Sequence, residues 1–422
     1  MRPKGSGNLA GFYWEVNPMK FFVGIDIGKW KHEAALMDEN GRSIGNAFVF
    51  GNSAEGFALL FRHLEVCEPA QTIIGMEATG HYWLALFARL VEDGWDVKVI
   101  NPIQSSALRK MYVRNSKYDR KDAFVIAEVM RFGRYTEAVI PGEDISQLRE
   151  LSRFRVELVE STGDLKRHII ALVDRLFPEF QECFSTIFGK TPLEILRRFQ
   201  DPESLAAVDL DFLTDLMEAN SRRQLGRKAA ENLKAKAAVS VGAQRARGVL
   251  GIELAILLRQ FDFIRSQIDE IDALIAELMK DRQLLLSVPG IGTTLGAAIL
   301  GEIGDISRFD TPKKLQAFAG LDPSVFESGA FSAASRHISK RGSPYLRRAF
   351  YYSANAARIA DPGIRRFYEK LLSRGKAPKK ALVAVAAKLC RIVHAVLSRN
   401  QPFDPMLTEK LTIPTLQPEM AT

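Results

Sequence analysis

The stretch FFVGIDIGKWKHEAALMDENGRSIGNAFVF, residues 21–50, decides the fold class. FFVGID is a short apolar strand that closes on an aspartate, Asp26, with Gly24 and Gly28 two residues to either side. EAALMDENGRSIGNAFVF has the form of a β-hairpin turning at Glu39-Asn40-Gly41, where Asn-Gly accepts the backbone angles of a tight reversal. Working outward, a helix is predicted from about Ala54 to Glu65, followed by TIIGME as a second buried strand closing on Glu77. HYWLALFARLVEDG is a helix ended by Gly94, and VKVINP is a strand stopped by Pro102. KYDRKDAFVIAEVMRFG has helical spacing, with Ala123, Ile126, Ala127 and Met130 on one side. The first unit is therefore α/β.

Past about Ile145 the character changes to long helices. SQLRELSRFRVELVESTGDLKRHIIALVDRLF has no proline and one glycine, Gly163. Leu257, Phe261, Ile264, Ile268, Ile271, Ile275 and Leu278 recur at alternating intervals of four and three, the seam of a coiled coil or the buried line of one long core helix. The Lys/Arg-rich stretch from about Thr191 to Val249 reads as helical. A third part opens with LLLSVPGIGTTLGAAIL and closes with helices around Ile364–Leu372 and Lys379–Leu397. The expected division is a disordered leader (1–20), an α/β domain (21–143), a helical coiled-coil region (144–283), a mainly α domain (284–404) and a tail (405–422). A length of 422 residues suits this, at roughly 100–200 residues per domain.

The apolar share of 47% and charged share of 26% are those of a globular chain. The 58 Lys and Arg against 50 Asp and Glu favour a polyanionic partner through counterion release, without requiring one. Cys67, Cys183 and Cys390 lie far apart, which argues against a disulfide framework or a zinc ribbon and suits a reducing cytoplasm. No uninterrupted apolar stretch long enough to span a bilayer is expected. The opening MRPKGSGNLAGFYWEVNP lacks a signal-peptide core, and Met19 is a second candidate start.

Four acids carry candidate chemistry. Asp26 and Glu77 close strands, and strand ends in such a sheet face one crevice. Asp119 and Asp122 stand three apart and share a helix face. Carboxylates gathered there would resist ionisation unless a cation sat among them. Mg²⁺ or Mn²⁺, hard ions that prefer oxygen, are the expected guests, and a pair of them suits phosphodiester displacement. Each acid also has a plainer reading. Asp119 and Asp122 can form salt bridges with Lys117, Arg120 and Lys121, and Glu77 can cap the next helix. Asp26 is harder to dismiss, since an aspartate inside FFVGIDIG is costly to bury alone.

The succession strand-Asp, hairpin, helix, strand-Glu, helix, strand, helix with paired Asp resembles the RNase H-like fold of the RuvC Holliday-junction resolvases. GIDIGKWKHEAALMDENG, GMEATGHYWLAL, VINPIQSSALR and KYDRKDAFVIAE resemble more closely the DEDD transposases of insertion-sequence family one-ten, relatives of the Piv DNA invertase. The resemblance runs from about Phe21 to Asp404, with Tyr118 standing where a threonine is common. It implies a metal-binding, catalytic tetrad of Asp26, Glu77, Asp119 and Asp122.

SVPGIGTTLGAAIL has the form of a helix-hairpin-helix, in which Gly290 and Gly292 present backbone N–H groups to phosphate; a plain turn between helices is the alternative. In AFAGLDPSVFESGAFSAASRHISKRGSPYLRRAF, Ser328 precedes a run holding Arg336, His337, Lys340, Arg341, Arg347 and Arg348. A serine can attack phosphorus where cations stabilise the developing charge. The residues alone do not choose Ser328 over Ser332 or Ser335. The resemblance assigns the nucleophile to Ser328, with a covalent phosphoserine link to DNA, and Ser343 stands where asparagine is common. Lys117, Arg120, Lys340, Arg341, Arg347, Arg348 and Lys376, the last beside Lys379 and Lys380, are candidate phosphate contacts or solvated charges.

The resemblance further implies a recombinase acting on donor and target DNA, a tetramer of paired dimers, guidance by a bridge RNA, and a cytoplasmic, nucleoid-associated bacterial or archaeal setting. The alternatives are a metal-dependent junction endonuclease or invertase without an RNA guide, and an architectural DNA-binding protein. The heptad helix is a candidate device for joining subunits.

Overall fold

The computed structural model describes residues 20–77, 80–100, 122–133, 142–323, 327–328, 331–332 and 337–406, the two short pairs by their backbone alone. The chain divides into two compact units, Met1–Ile140 and Pro141–Thr422.

The first unit runs β1 (Phe21–Asp26), β2 (Lys31–Asp38), β3 (Phe48–Gly51), α1 (Ala54–Leu64), β4 (Thr72–Glu77), α2 (Leu84–Glu92), β5 (Asp96–Ile100) and α3 (Asp122–Phe132). The strands form one sheet in the order β3-β2-β1-β4-β5. Pairing is antiparallel in β1–β2 and β2–β3 and parallel in β1–β4 and β4–β5, consistent with an RNase H-like domain. Local chemistry sets the boundaries. The Asp38 carboxylate accepts from the backbone N–H of Asn40 and Arg42 at 3.0 and 2.7 Å, and Gly41 takes φ +80°, so the chain reverses where the sequence predicts. Ser53 caps α1 by accepting from the Gly56 N–H.

One face of the sheet is covered by α1 and α2 over Val23, Ile25, Ile74 and Met76. The other is crossed by α3, whose Ile126, Ala127 and Met130 pack on Phe22 and Ile100. A β-carbon on Gly24 would lie 2.0 Å from the Ala123 carbonyl oxygen and 2.3 Å from the Ala127 nitrogen, and one on Gly75 would lie 2.5 Å from Met130. Gly24 lets the helix backbone lie directly on β1, and Gly75 makes room for the Met130 side chain over β4.

The second unit runs α4 (Glu143–Leu176), α5 (Lys190–Arg198), α6 (Pro202–Ala207), α7 (Leu210–Ser221), α8 (Arg227–Ala238), α9 (Arg247–Leu278), α10 (Thr293–Ile303), α11 (Pro312–Phe318), a two-residue pair β6 (Glu327–Ser328) and β7 (Phe331–Ser332), then α12 (Pro344–Ala360), α13 (Pro362–Ser373) and α14 (Pro378–Arg399). The heptad seam lies on α9, and α4 of the same chain fills it. Leu148 near the start of α4 shares a cluster with Ile271, Ile275 and Met279, while Ile169, Leu172 and Leu176 near its end share another with Leu250, Leu254 and Phe261. The helices are therefore antiparallel. Arg155 locks the pair through a two-pronged bond to Asp272 at 2.6 and 2.9 Å, and Arg282 reaches Asp144 at 2.8 Å. The seam is thus filled by a contact within the chain.

The segment before Pro289 also departs from the helix-hairpin-helix expectation. It holds a single 3₁₀ turn, Leu285–Ser287, and Val288 is extended, as the residue before proline prefers. Gly290 is a packing residue, since a β-carbon there would lie 2.4 Å from the Ala357 nitrogen of α12. Gly292 opens α10 with clear space around it. By length and composition α14 is apolar enough to cross a bilayer, but Lys388 and Arg391 interrupt its apolar run, and Val385, Leu389, Cys390, Ile392 and Val393 make it the core helix of the C-terminal cluster.

Gly24→Ala is expected to destabilise the first unit by about 1–3 kcal/mol, because Ala123 must retreat; an unchanged denaturation midpoint would show that α3 does not rest on β1. Ile275→Ala, at a fully buried seam position, is expected to cost about 2–5 kcal/mol by the same measurement.

Candidate active site

Along β1 and β4 the register sets Ile25 opposite Met76, so Asp26 and Glu77 occupy the next rung, both at C-terminal strand ends. Side chains alternate along a strand, and the Gly24 and Gly75 positions face α3. Asp26 and Glu77, two residues further on, face the same side. Asp122 is the first residue of α3, immediately before the Ala123 whose carbonyl covers Gly24. Carboxylates are favoured at a helix start, where the dipole is positive. Asp26 is half-buried, Glu77 is buried at 5% exposure, and Asp122 is exposed.

The remaining expected ligand, Asp119, lies outside the described residues, as do Lys117 and Arg120. Among the described residues, no three His, Cys, Asp or Glu side chains gather closely enough to hold one ion. The donors that do share this face are all carboxylates, the hard oxygen set that suits Mg²⁺ or Mn²⁺.

The sequence reading missed two residues here. Glu33 is the register partner of Asp26 across β1–β2, which adds a third acid to the same rung. Its signal lay in the hairpin, where the pairing register follows from the short IGKW link between the strands. His32, 1% exposed, points to the opposite face, with its ring 5.2 Å from that of Phe50. Its Nδ1 accepts from the Gly28 N–H at 3.3 Å and ties down the turn that follows Asp26. Burial holds this imidazole below its ordinary value, against a hydrogen bond with Asn52 that raises it.

In the second unit Ser328 pairs with Phe331 across the short β6–β7 ladder. Below the ladder, Pro323 and Ile338 form an isolated bridge. Both line a cavity of about 530 Å³ whose rim carries Lys340, Lys376, Lys379 and Lys380. The structure thus brings Lys340 and Lys376, 36 residues apart in sequence, to one site beside the Pro323–Ile338 bridge, whose two residues flank Ser328 in sequence. The lysines at 376, 379 and 380 surround the start of α14, a 22-residue helix whose dipole adds to their charge and attracts an anion.

The other basic residues divide. Arg336 lies outside the described residues, and Arg341 is exposed. Arg347 donates to the Ala319 carbonyl at 3.3 Å, and Arg348 pairs with Glu160. Ser343 caps α12, accepting from the Leu346 N–H at 3.0 Å while donating to Glu302 at 2.7 Å. Glu302 is 3% exposed and also accepts from Arg153 at 2.6 Å. Burial lowers the Arg153 pKa, yet the hydrogen bond and charge of Glu302 outweigh it and hold the guanidinium above its ordinary value. Glu302 was missed as well; a lone acid in the apolar run GAAILGEIG was its signal.

Comparison with known proteins covers both units. Residues 23–178 match a transposase family model of the DEDD IS110 type, and residues 282–369 match one described as transposase IS116/IS110/IS902 family. A protein of insertion element IS116 from Streptomyces clavuligerus is 28% identical over 92% of this chain and 96% of its own length. The pilin gene-inverting protein of Moraxella bovis is 23% identical over 92% of this chain and 99% of its own. The transposase for insertion sequence element IS1111A of Coxiella burnetii is 26% identical over 90% of each chain. With its strand-end carboxylates in the first unit and matching models in both, the chain belongs to the IS110 family of transposases and DNA invertases.

Proposed function

We propose that this transposase cleaves and rejoins DNA through a composite site, made of the Asp26, Glu77, Asp119 and Asp122 carboxylates and the Ser328 hydroxyl. The observation that carries the reading is the shared rung of Asp26 and Glu77, facing the side on which α3 begins with Asp122. Held by these carboxylates, Mg²⁺ or Mn²⁺ would supply Lewis-acid neutralisation of the phosphate charge. The chain's own residues do the rest. Lys340, Lys376, Lys379 and Lys380, which line one cavity, grip the backbone phosphates. Ser328 Oγ loses its proton and bonds to phosphorus; one phosphodiester P–O bond breaks, and the departing strand end leaves as a hydroxyl. A hydroxyl of the new partner strand then attacks the phosphoserine, restoring the serine and joining the strands. Arg341 and Arg336 are further phosphate contacts, as are Lys117 and Arg120, while Arg347 and Arg348 are engaged by the Ala319 carbonyl and by Glu160.

On this reading residues 21–143 are the metal-binding part, 144–283 the helical connector and 284–404 the serine-bearing part, between a leader (1–20) and a tail (405–422). Serine and tetrad meet within one chain or between the subunits of a tetramer. The α9 seam is already filled, but Val249, Ile252, Phe263 and Leu274 stay exposed on that helix and are available to a second copy. A bridge RNA selects the sites by base pairing, as in other RNA-guided systems. A junction endonuclease that hydrolyses with water is the alternative, and the serine separates the two.

Ser328→Ala is expected to reduce recombination and the covalent protein–DNA adduct to background while DNA binding persists; retained recombination would reject the nucleophile, and retained hydrolysis alone would favour the endonuclease. Asp26→Ala is expected to abolish strand cleavage with DNA affinity unchanged within about twofold, and persistent cleavage would reject the metal site. Lys376→Ala with Lys379→Ala is expected to weaken binding to all sequences alike and to lower the salt slope by about one per lysine. Ribonuclease treatment of the particle purified from cells is expected to abolish recombination; full activity afterwards would refute the guide.

A further inference from the structure

A second cavity, of about 310 Å³, lies in the second unit where α4, α10 and α12 meet. Val156 and Val159 from α4, Leu295 and Ala298 from α10, and Ala349 from α12 form apolar walls. Tyr345 and Tyr352 stand at its edge, each beneath a guanidinium: Arg153 lies 4.9 Å from the Tyr345 ring and Arg348 5.6 Å from that of Tyr352. Glu302 and Ser152 are among the polar groups of the lining. Glu302 is buried with one hydrogen bond to each carboxylate oxygen, which leaves further lone pairs to accept. Ser152 is 5% exposed, and its buried hydroxyl has no hydrogen-bond partner. A buried hydroxyl without a partner is costly, and a ligand that supplies one recovers that cost.

The charges choose between ligands. Arg153, Arg155 and Arg348 are each matched by an acid, Glu302, Asp272 and Glu160 respectively. A phosphate would have to displace one of these acids. A flat, neutral ring with N–H donors along one edge fits better. Its faces would rest on tyrosine and guanidinium planes, and its edge would meet Glu302 and Ser152.

We propose that this cavity receives an unpaired, unstacked nucleobase from single-stranded nucleic acid, whether displaced DNA or RNA. The inference rests on the chain's acting on nucleic acid but does not need Ser328 or the tetrad. Accommodation of a splayed base is how single-stranded segments are recognised generally.

The test is a fluorescence titration of the full chain with short single-stranded oligonucleotides carrying one 2-aminopurine, in deoxyribo and ribo forms, beside a duplex of the same sequence. Single strands are expected to bind with quenching of the probe, and the form that responds more strongly identifies the source. Ala298→Leu narrows the cavity with an aliphatic group, and Tyr352→Ala removes an exposed stacking face. Both are expected to lose the quench and to weaken single-strand binding roughly tenfold, with duplex binding and melting temperature unchanged. Wild-type quenching and affinity in variants that melt normally would overturn the proposal. So would a wild-type chain that binds duplex but leaves the single-stranded probe unquenched, in which case its nucleic-acid activity still stands. Failure to bind either form would remove both.

Discussion

A peptide carbonyl of α3 occupies the space that a side chain would fill at Gly24 of β1. That close approach governs the candidate metal site, because it fixes how near the start of α3 comes to the ends of β1 and β4. Packing at ordinary side-chain distance would lift the helix off the sheet and carry Asp122 with it. The carboxylate positions thus follow from two residues that have no side chain at all. One strand over, Gly75 makes room for the Met130 side chain, and the pair aligns the helix across both acid-bearing strands.

Much of the first unit was legible because its signals are local. Strand ends at Asp26 and Glu77, the reversal at Gly41 and the stop at Gly94 each depend on a few neighbouring residues. Glu33 was not legible in the same way: it joins the candidate site through cross-strand register, which depends on how the β1–β2 link closes. The roles of Gly24 and Gly75 were hidden for a related reason, since a glycine in a strand does not say which backbone will come to rest on it. Asp119, Lys117, Arg120 and Arg336 lie outside the described residues, and Ser328 is described by its backbone alone, so their assignments rest on motif and resemblance.

In the helical unit the periodicity of α9 was read correctly, but a seam states only that a helix has an apolar line. It does not state whether the complement comes from the same chain. Here α4 supplies it, because its own apolar residues run along an uncapped 34-residue helix of the right length. The basic segment around Arg347 was likewise legible as charge and not as contact. Some of its cations are already engaged, by the Ala319 carbonyl and by Glu160, while Lys340 joins lysines from a helix start that sequence distance concealed.

The antiparallel α4–α9 pair carries a mechanical implication. At 1.5 Å per residue, the 34 residues of α4 span about 50 Å. The helix is anchored at one end among Leu148, Ala297 and Ile275 and at the other among Leu172, Phe180 and Leu213. Such a strut transmits rotation as well as separation. One residue inserted near Gly163 would turn whatever lies beyond it by about 100°, and seven would nearly restore the phase. Length variation in this segment should therefore be tolerated in steps of whole turns, with the angular relation between its two anchored ends as the conserved quantity.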